Sequence, residues 1–113
     1  SRETYYQGGI SRADLCRGRW SVQQARQEAL EILDRHPSAV FVLLGAKVAG
    51  AFPGSWGIPD FVAWVMPCGR KAVCLPHPSG RCRTWSEPGA FERARDALRR
   101  AEPRIPWGEV SDD

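Results

Sequence analysis

The chain has 113 residues, of which 42% are apolar and 26% are charged, a composition typical of one small globular domain. Its apolar runs are much shorter than the ~20 residues of a membrane-spanning helix, and its first residues lack the apolar core of a secretion signal. We therefore expect a soluble, cytoplasmic protein without a membrane partner. The net charge is +3, and residues 70–100 hold eight basic and three acidic side chains. This excess suits phosphate groups, although an arginine-rich composition alone would also give it.

Residues 1–20 are polar and punctuated by glycine, and we expect an irregular segment in which Ser11 and Asp14 cap at most one short helical turn. Ser21 and Gln24 then form a capping box, which opens a helix with one apolar face. This helix is expected to end near His36, because helical geometry is disfavoured at a residue that precedes proline, here Pro37.

Three strands are predicted after this helix. The continuous apolar run "AVFVLLG", residues 39–45, indicates a strand buried on both faces, as in a parallel sheet. The stretch "AKVAGAF" then predicts a short helix that ends at Pro53. Two further strands, residues 61–65 and 71–75, are joined by a link short enough for a hairpin with Gly69 at its turn.

Ser86 is predicted to cap the last helix, with Pro88 in its first turn. Spacings of three and four residues predict the apolar stripe of this helix, which consists of Phe91, Ala94, Leu98 and Ala101. Residues 104–113 are expected to form an irregular tail, whose Trp107 packs back onto the body of the protein.

The order of elements is helix, strand, helix, strand, strand, loop, helix. Strands that alternate with helices favour helices on both faces of a mainly parallel sheet. We therefore predict one α/β domain over residues 1–113, built as a three-layer α/β/α sandwich around a short sheet.

The tripeptide His-Pro-Ser occurs twice, and only the second copy has the surroundings of a binding site. His36 ends a helix, where an imidazole interacts well with the last carbonyl groups, so a structural role explains it. His77 follows a strand at its carboxyl end, where ligands bind in open α/β sheets. Prolines on both sides of His77 stiffen its backbone. The alternative for this copy is a tight loop whose histidine is an ordinary hydrogen-bonding residue.

The residues after His77 are of types that suit contact with a nucleic acid. Ser79 and Gly80 are small enough for another backbone to come close. Arg81 and Arg83 supply guanidinium groups for phosphates, and Trp85 supplies a face on which a base could stack.

The four cysteines are Cys16, Cys68, Cys74 and Cys82. Three of them lie near His77, but they lack the C-x2–4-C pairs typical of structural zinc sites. We therefore expect free thiols, no metal site and no cofactor.

The segments "VFVLLGAKVAGAF" and "KAVCLPHPSGRCRTW", followed by a helix, resemble the second half of the uracil-DNA glycosylase superfamily. The resemblance covers roughly residues 40–101. It implies a three-layer α/β/α fold and places His77 against the carbonyl oxygen of a pyrimidine, where it stabilises negative charge on the departing base. It also implies that Pro78, Ser79, Gly80 and Arg81 enter the minor groove and help to extrude the nucleotide.

The chain departs from this family in its first half. The family's first motif is a glycine-rich turn with a water-positioning acidic or polar residue beside a proline, and we find no such motif here. Three functions therefore remain open. The chain could be a DNA glycosylase that needs a partner or missing segment to activate water. It could bind DNA without hydrolysing it. It could be an α/β interaction domain with a basic face.

A domain without the family's first strand and helix would leave a sheet edge uncovered, and uncovered edges pair readily with other chains. We therefore expect either a protein partner or a homodimer, in addition to DNA that is single-stranded or has a base flipped out of the duplex. Whether the chain is an enzyme is left open by the sequence.

Overall fold

A mixed four-stranded sheet lies at the centre of the computed structural model, which describes residues 9–54, 57–77 and 83–104. The strands are β1 (Gly9–Ile10), β2 (Val40–Leu44), β3 (Val62–Val65) and β4 (Lys71–Leu75), in the spatial order β1-β2-β4-β3. The strands β1, β2 and β4 are parallel, and β3 is antiparallel to β4. The short link between β3 and β4 is the predicted hairpin, with Gly69 donating its N–H to the Met66 carbonyl.

In the described part of the chain, four helices cover the two faces of the sheet. These are α1 (Arg12–Leu15), α2 (Val22–Arg35), α3 (Ala46–Gly50) and α4 (Ala90–Ala101), with a 3-10 turn over Arg83–Ser86. The helix α2 begins as predicted, because the Ser21 hydroxyl accepts a hydrogen bond from the N–H of Gln24 at 3.2 Å. It ends with His36 as its C-cap.

The strand β2 contributes to two separate apolar cores, which makes the protein three layers deep. Phe41 and Leu43 pack with residues of α1, α2 and α3 on one face. Val40 and Val42 pack with the alanines of α4 on the other face. Successive side chains of a strand point to opposite faces, so the continuous apolar run serves both cores. The predicted α/β sandwich with a short, mainly parallel sheet is confirmed.

Residues 1–8 lie outside the described residues, and residues 9–20 differ from the predicted irregular segment by a strand, because Gly9 and Ile10 form β1. The predicted short helical turn is confirmed as α1, with Ser11 and Asp14 as its capping box. Ile10 is fully buried and pairs with Leu43 of β2. The pairing of β1 depends on contacts with the distant strand β2, which the sequence of residues 1–20 did not indicate.

The last helix also begins later than predicted. Gly89 has φ = +82°, a left-handed conformation that interrupts helical geometry, and α4 therefore starts at Ala90. Ser86 instead ends the preceding 3-10 turn.

The buried stripe of α4 consists of small residues, namely Ala90, Ala94, Ala97 and Ala101, which allow the helix to lie close to the sheet. Phe91, which the sequence pattern placed in this stripe, has 69% of its surface exposed.

The Glu102 carboxylate, at the end of α4, interacts with Lys71 at the start of β4. Its side chain is only 3% exposed, and its Oε2 accepts hydrogen bonds from the backbone N–H of Arg104 at 3.2 Å and from Arg104 Nε at 3.0 Å. The Lys71 ammonium lies 3.8 Å from Oε1. The Arg104 guanidinium, together with its backbone N–H and the charge of Lys71, outweighs the effect of burial and lowers the pKa of Glu102 to about 2.

This carboxylate predicts an acid-dependent loss of stability. The unfolded chain binds a proton at Glu102 near pH 4.3, whereas the folded chain binds it near pH 2. The contribution of Glu102 is therefore complete above pH ~4.5 and is lost as the pH falls towards 2. We expect Glu102→Gln to lower the free energy of unfolding at pH 7 by about 1 kcal/mol, because Arg104 and Lys71 are well solvated.

Urea unfolding from pH 2 to pH 7 measures this effect. The wild type and Glu102→Gln should converge at the acidic end, and the exposed Glu92→Gln should follow the wild type throughout. A constant difference between wild type and Glu102→Gln over this range would contradict the assignment.

Candidate functional site

The carboxyl ends of three parallel strands meet at one edge of the sheet, and His77 lies there, two residues beyond β4. The N–H of Gly45, directly after β2, donates to the carbonyl of Leu75 at 2.8 Å. This bond holds the ends of β2 and β4 together. A Cβ atom at Gly45 would lie 3.5 Å from the Cβ of His77, so the histidine sits against the turn that leads from β2 into α3.

Gly45 has backbone angles that glycine alone adopts readily. Its φ is +97° and its ψ is 159°, a region that costs other residues about 1–3 kcal/mol. The glycine of the "LLG" segment is therefore required by the turn at the carboxyl edge. Since this turn contacts His77, the glycine also contributes to the position of the imidazole.

An open cleft of about 630 Å³ lies at this edge, with His77 on one side and the segment after β1 on the other. Ser11, Arg12 and Arg17 line it together with His77. The half-buried His77 therefore shares one cleft with two exposed arginines. Among the described residues that line this cleft there is no carboxylate, so its charge favours an anionic ligand.

The local structure after β1 orients Ser11 and Arg12. The Oδ2 atom of Asp14 accepts hydrogen bonds from the N–H of Ser11 at 2.8 Å and from its hydroxyl at 3.0 Å. The Arg12 guanidinium lies over the ring of Trp20, 5.5 Å from its centroid. Sequence reasoning missed Arg12 and Arg17, because recognising them requires β1 to be identified as a strand of the sheet.

Trp85 holds the backbone that leads into His77. Its indole N–H donates to the carbonyl of Pro76 at 3.1 Å, and its half-buried ring contacts Phe61 and Phe91 at centroid distances of 5.8 and 5.5 Å. The position beside the His77 loop agrees with a role at the site. The stacking of a base on Trp85 remains a prediction.

The rest of the predicted loop is only partly covered by the structure. Arg83 is exposed and begins the 3-10 turn that carries Trp85. Pro78, Ser79, Gly80 and Arg81 lie outside the described residues, and their predicted contacts with DNA remain predictions.

Phe61 is a strained residue next to this site that no sequence signal revealed. Its φ is +64°, which is rare for a residue with a bulky side chain. Two contacts stabilise this backbone conformation. The Phe61 N–H donates a hydrogen bond to the Cys74 carbonyl at 2.7 Å, and the Arg93 guanidinium lies 4.3 Å from the centroid of the Phe61 ring. The edge of Trp85 packs on the same ring, so Phe61 supports the anchor of the His77 loop.

The cysteines near His77 do not converge in the part of the chain that the structure describes. Cys68 is exposed, whereas Cys74 is buried and accepts a hydrogen bond from the Trp64 indole N–H at 3.2 Å. Burial raises the pKa of the Cys74 thiol. Cys82 lies outside the described residues. Within the described ranges, no three histidine, cysteine or acidic side chains are grouped as a metal site would require.

Comparisons with protein-family models, with curated proteins and with solved structures found no match. Within residues 9–54, 57–77 and 83–104, no helix has the length and apolar character needed to cross a membrane.

Proposed function

We propose that the carboxyl-edge cleft binds DNA that is single-stranded or locally opened, and that it holds one extruded pyrimidine in front of His77. The observation that carries this proposal is the shared cleft of His77, Arg12 and Arg17. Guanidinium groups suit the phosphates on either side of an extruded nucleotide. The imidazole, on a backbone stiffened by Pro76, suits a hydrogen bond to a carbonyl oxygen of the base.

The resemblance to the uracil-DNA glycosylase superfamily supports the same assignment for His77. In a glycosylase reaction, negative charge develops on the departing base. A single well-placed donor at that charge contributes about 3–4 kcal/mol to the transition state. The position of His77 at the carboxyl edge of the sheet supports this role.

We propose that the described residues of the cleft bind DNA, and that the group needed for hydrolysis lies elsewhere. The described residues lining the cleft supply cations and an imidazole but no carboxylate, and Asp14 accepts the hydrogen bonds that cap α1. Cleavage of the N-glycosidic bond therefore needs a water-activating group from a partner chain or from residues outside the described ranges. A DNA-binding domain without hydrolytic activity is the second candidate, and this lack of a lining carboxylate favours it.

Removal of the two cleft arginines tests the binding proposal. We expect Arg12→Ala/Arg17→Ala to weaken binding of a fluorescein-labelled single-stranded 20-mer at least tenfold, because two phosphate contacts are lost. The slope of log K against log salt should fall by about 1.4, which is the value for two contacts on a single strand. Fluorescence anisotropy at several salt concentrations measures both quantities.

Arg99→Ala is the matched control. Arg99 is exposed in the last turn of α4, at the end of the helix that Glu102 joins to the start of β4 and thus at the opposite edge of the sheet. If the double variant kept the wild-type affinity and salt slope, the cleft would not be the binding site. If the wild type did not bind at 50 mM salt, the domain would instead serve protein interactions.

A further inference from the structure

Phe91, in the first turn of α4, is an aromatic residue that lies mostly in solvent. It has 69% of its surface exposed, whereas the other phenylalanines and tryptophans among the described residues are buried or half-buried. Its ring contacts the Trp85 ring at a centroid distance of 5.5 Å and an interplanar angle of 37°. The remainder of the Phe91 ring is an apolar surface that a planar ligand can contact.

Phe91 lies at the same edge of the sheet as the proposed DNA site. The end of α4 interacts with the start of β4, so the first turn of α4 lies towards the carboxyl edge. Trp85 connects Phe91 to the His77 loop, because its indole N–H donates to the Pro76 carbonyl at 3.1 Å. A single aromatic side chain therefore separates Phe91 from the backbone that leads into His77.

Two arginines lie near Phe91. Arg83 is exposed and begins the 3-10 turn that carries Trp85. Arg95 lies one helical turn after Phe91 on the same side of α4, whereas Glu92 lies on the outer side of the helix. Neither arginine makes an ion pair within the described part of the chain. An exposed aromatic ring with guanidinium groups beside it suits an unpaired base and its phosphates.

A base can stack on Phe91 only when it is unpaired. In a duplex with one extruded nucleotide, the neighbouring bases remain paired and stacked inside the helix. A single strand leaves every base free, so that a base next to the one held at His77 can stack on an aromatic side chain. The exposed ring beside the His77 loop therefore favours single-stranded DNA over a duplex with one flipped nucleotide.

We propose that Phe91 is a second base-binding position and that the preferred ligand of this protein is single-stranded DNA. This inference rests on the proposed function of the carboxyl-edge cleft. One pyrimidine lies in front of His77, and a neighbouring base of the same strand stacks on the Phe91 ring. Arg83 and Arg95 bind phosphates of this part of the strand. A duplex with one extruded nucleotide occupies the cleft but does not contact Phe91.

Fluorescence anisotropy with two labelled ligands tests this proposal. One ligand is a single strand that contains one uracil, and the other is the same strand in a duplex that places guanine opposite the uracil. We expect Phe91→Ala to weaken binding of the single strand at least about fivefold, because stacking of one base on an aromatic side chain contributes this much. Binding of the duplex should change less than about twofold, since its neighbouring bases stay paired. Phe91→Tyr keeps an aromatic ring and should bind both ligands like the wild type.

Removal of single bases identifies the ligand of the Phe91 ring. In the wild type, an abasic site beside the uracil should weaken binding of the single strand as much as Phe91→Ala does. In Phe91→Ala, the same abasic site should have no further effect, because the ring that would stack on the missing base is absent. A merely structural role of Phe91 beside Trp85 would not produce this dependence on one base. Leu30→Ala removes an exposed apolar side chain from α2, on the other face of the sheet, and is the matched control that should leave both affinities unchanged.

Three results would overturn this inference and leave the proposed function in place. The first is an unchanged single-strand affinity in Phe91→Ala while Arg12→Ala/Arg17→Ala weakens binding. The second is an equal loss of affinity for the single strand and the duplex in Phe91→Ala. The third is an effect of the abasic site that adds to the effect of Phe91→Ala. A wild-type protein that binds neither ligand at low salt would overturn both the inference and the proposed function.

Discussion

Replacement of His77 by alanine should abolish base recognition while the protein remains folded and still binds DNA. Phosphate contacts supply most of the affinity for single strands, and Arg12 and Arg17 are unchanged in this variant. The proposed hydrogen bond from the imidazole to the base would be lost. We therefore expect DNA affinity within about threefold of the wild type, but a roughly tenfold loss of the preference for an oligonucleotide with one uracil over the same oligonucleotide with an abasic site. A hydrogen bond worth about 1.4 kcal/mol corresponds to this factor.

Base release, in any assembly that performs it, should fall further than binding. A donor aimed at developing charge acts mainly in the transition state. The expected loss for His77→Ala is ~10²–10³-fold in rate. His77→Gln keeps an N–H donor near the same position and should recover part of the lost rate and part of the uracil preference.

The sequence offers a close control for this experiment. His36 belongs to the other His-Pro-Ser copy and caps the end of α2. His36→Ala removes the same side chain beside the same tripeptide and should leave uracil preference and base release unchanged. Equal losses in both variants, or none in His77→Ala, would remove His77 from the proposed site.

Replacement of Trp85 by alanine should cause the largest loss of stability among the site variants. The ring contacts Phe61 and Phe91, and its N–H satisfies the Pro76 carbonyl. Truncation of a buried Trp typically costs 3–5 kcal/mol. Since Trp85 is half-buried, we expect a loss of about 3 kcal/mol in the free energy of unfolding, measured by urea denaturation.

Two further substitutions separate the contributions of Trp85. Trp85→Phe keeps an aromatic ring but leaves the Pro76 carbonyl without its donor, and it should cost about 1 kcal/mol. Phe91→Ala removes the exposed partner of the same ring pair and should cost less than about 1 kcal/mol. A loss below about 1 kcal/mol in Trp85→Ala would show that the ring does not support the loop.

The elements with strong local signals could be predicted from the sequence. The continuous apolar run of β2 indicated a strand between two layers, and the Ser21–Gln24 capping box indicated the start of α2. The parallel pairing of β2 with β4 followed from the α/β order of elements, and it placed His77 at the carboxyl edge. These features depend on patterns of several residues, which a single sequence displays directly.

The remaining features depend on contacts between distant residues. The described part of β1, Gly9 and Ile10, is identified by its pairing with β2 and not by a local pattern. The positive φ of Phe61 arises from its fit against β4 and Arg93, and phenylalanine itself gives no sign of it. The first residue of α4 depends on the backbone conformation of Gly89. Glycine adopts helical and left-handed conformations about equally well, so the sequence did not determine which one occurs. The sequence therefore did not predict the side of the cleft that Arg12 and Arg17 form, because their position depends on the pairing of β1 with β2.

The position of β1 at the edge of the described sheet has a consequence for how this protein would respond to the proposed ligand. The segment that carries both cleft arginines follows β1, which is hydrogen-bonded to β2 at that edge, and elements at an edge open locally more readily than central strands do. A nucleotide that bridges this segment and His77 would connect the edge of the sheet to its centre. Occupancy would then stiffen this segment first, and the chain would resist thermal unfolding best when it is loaded.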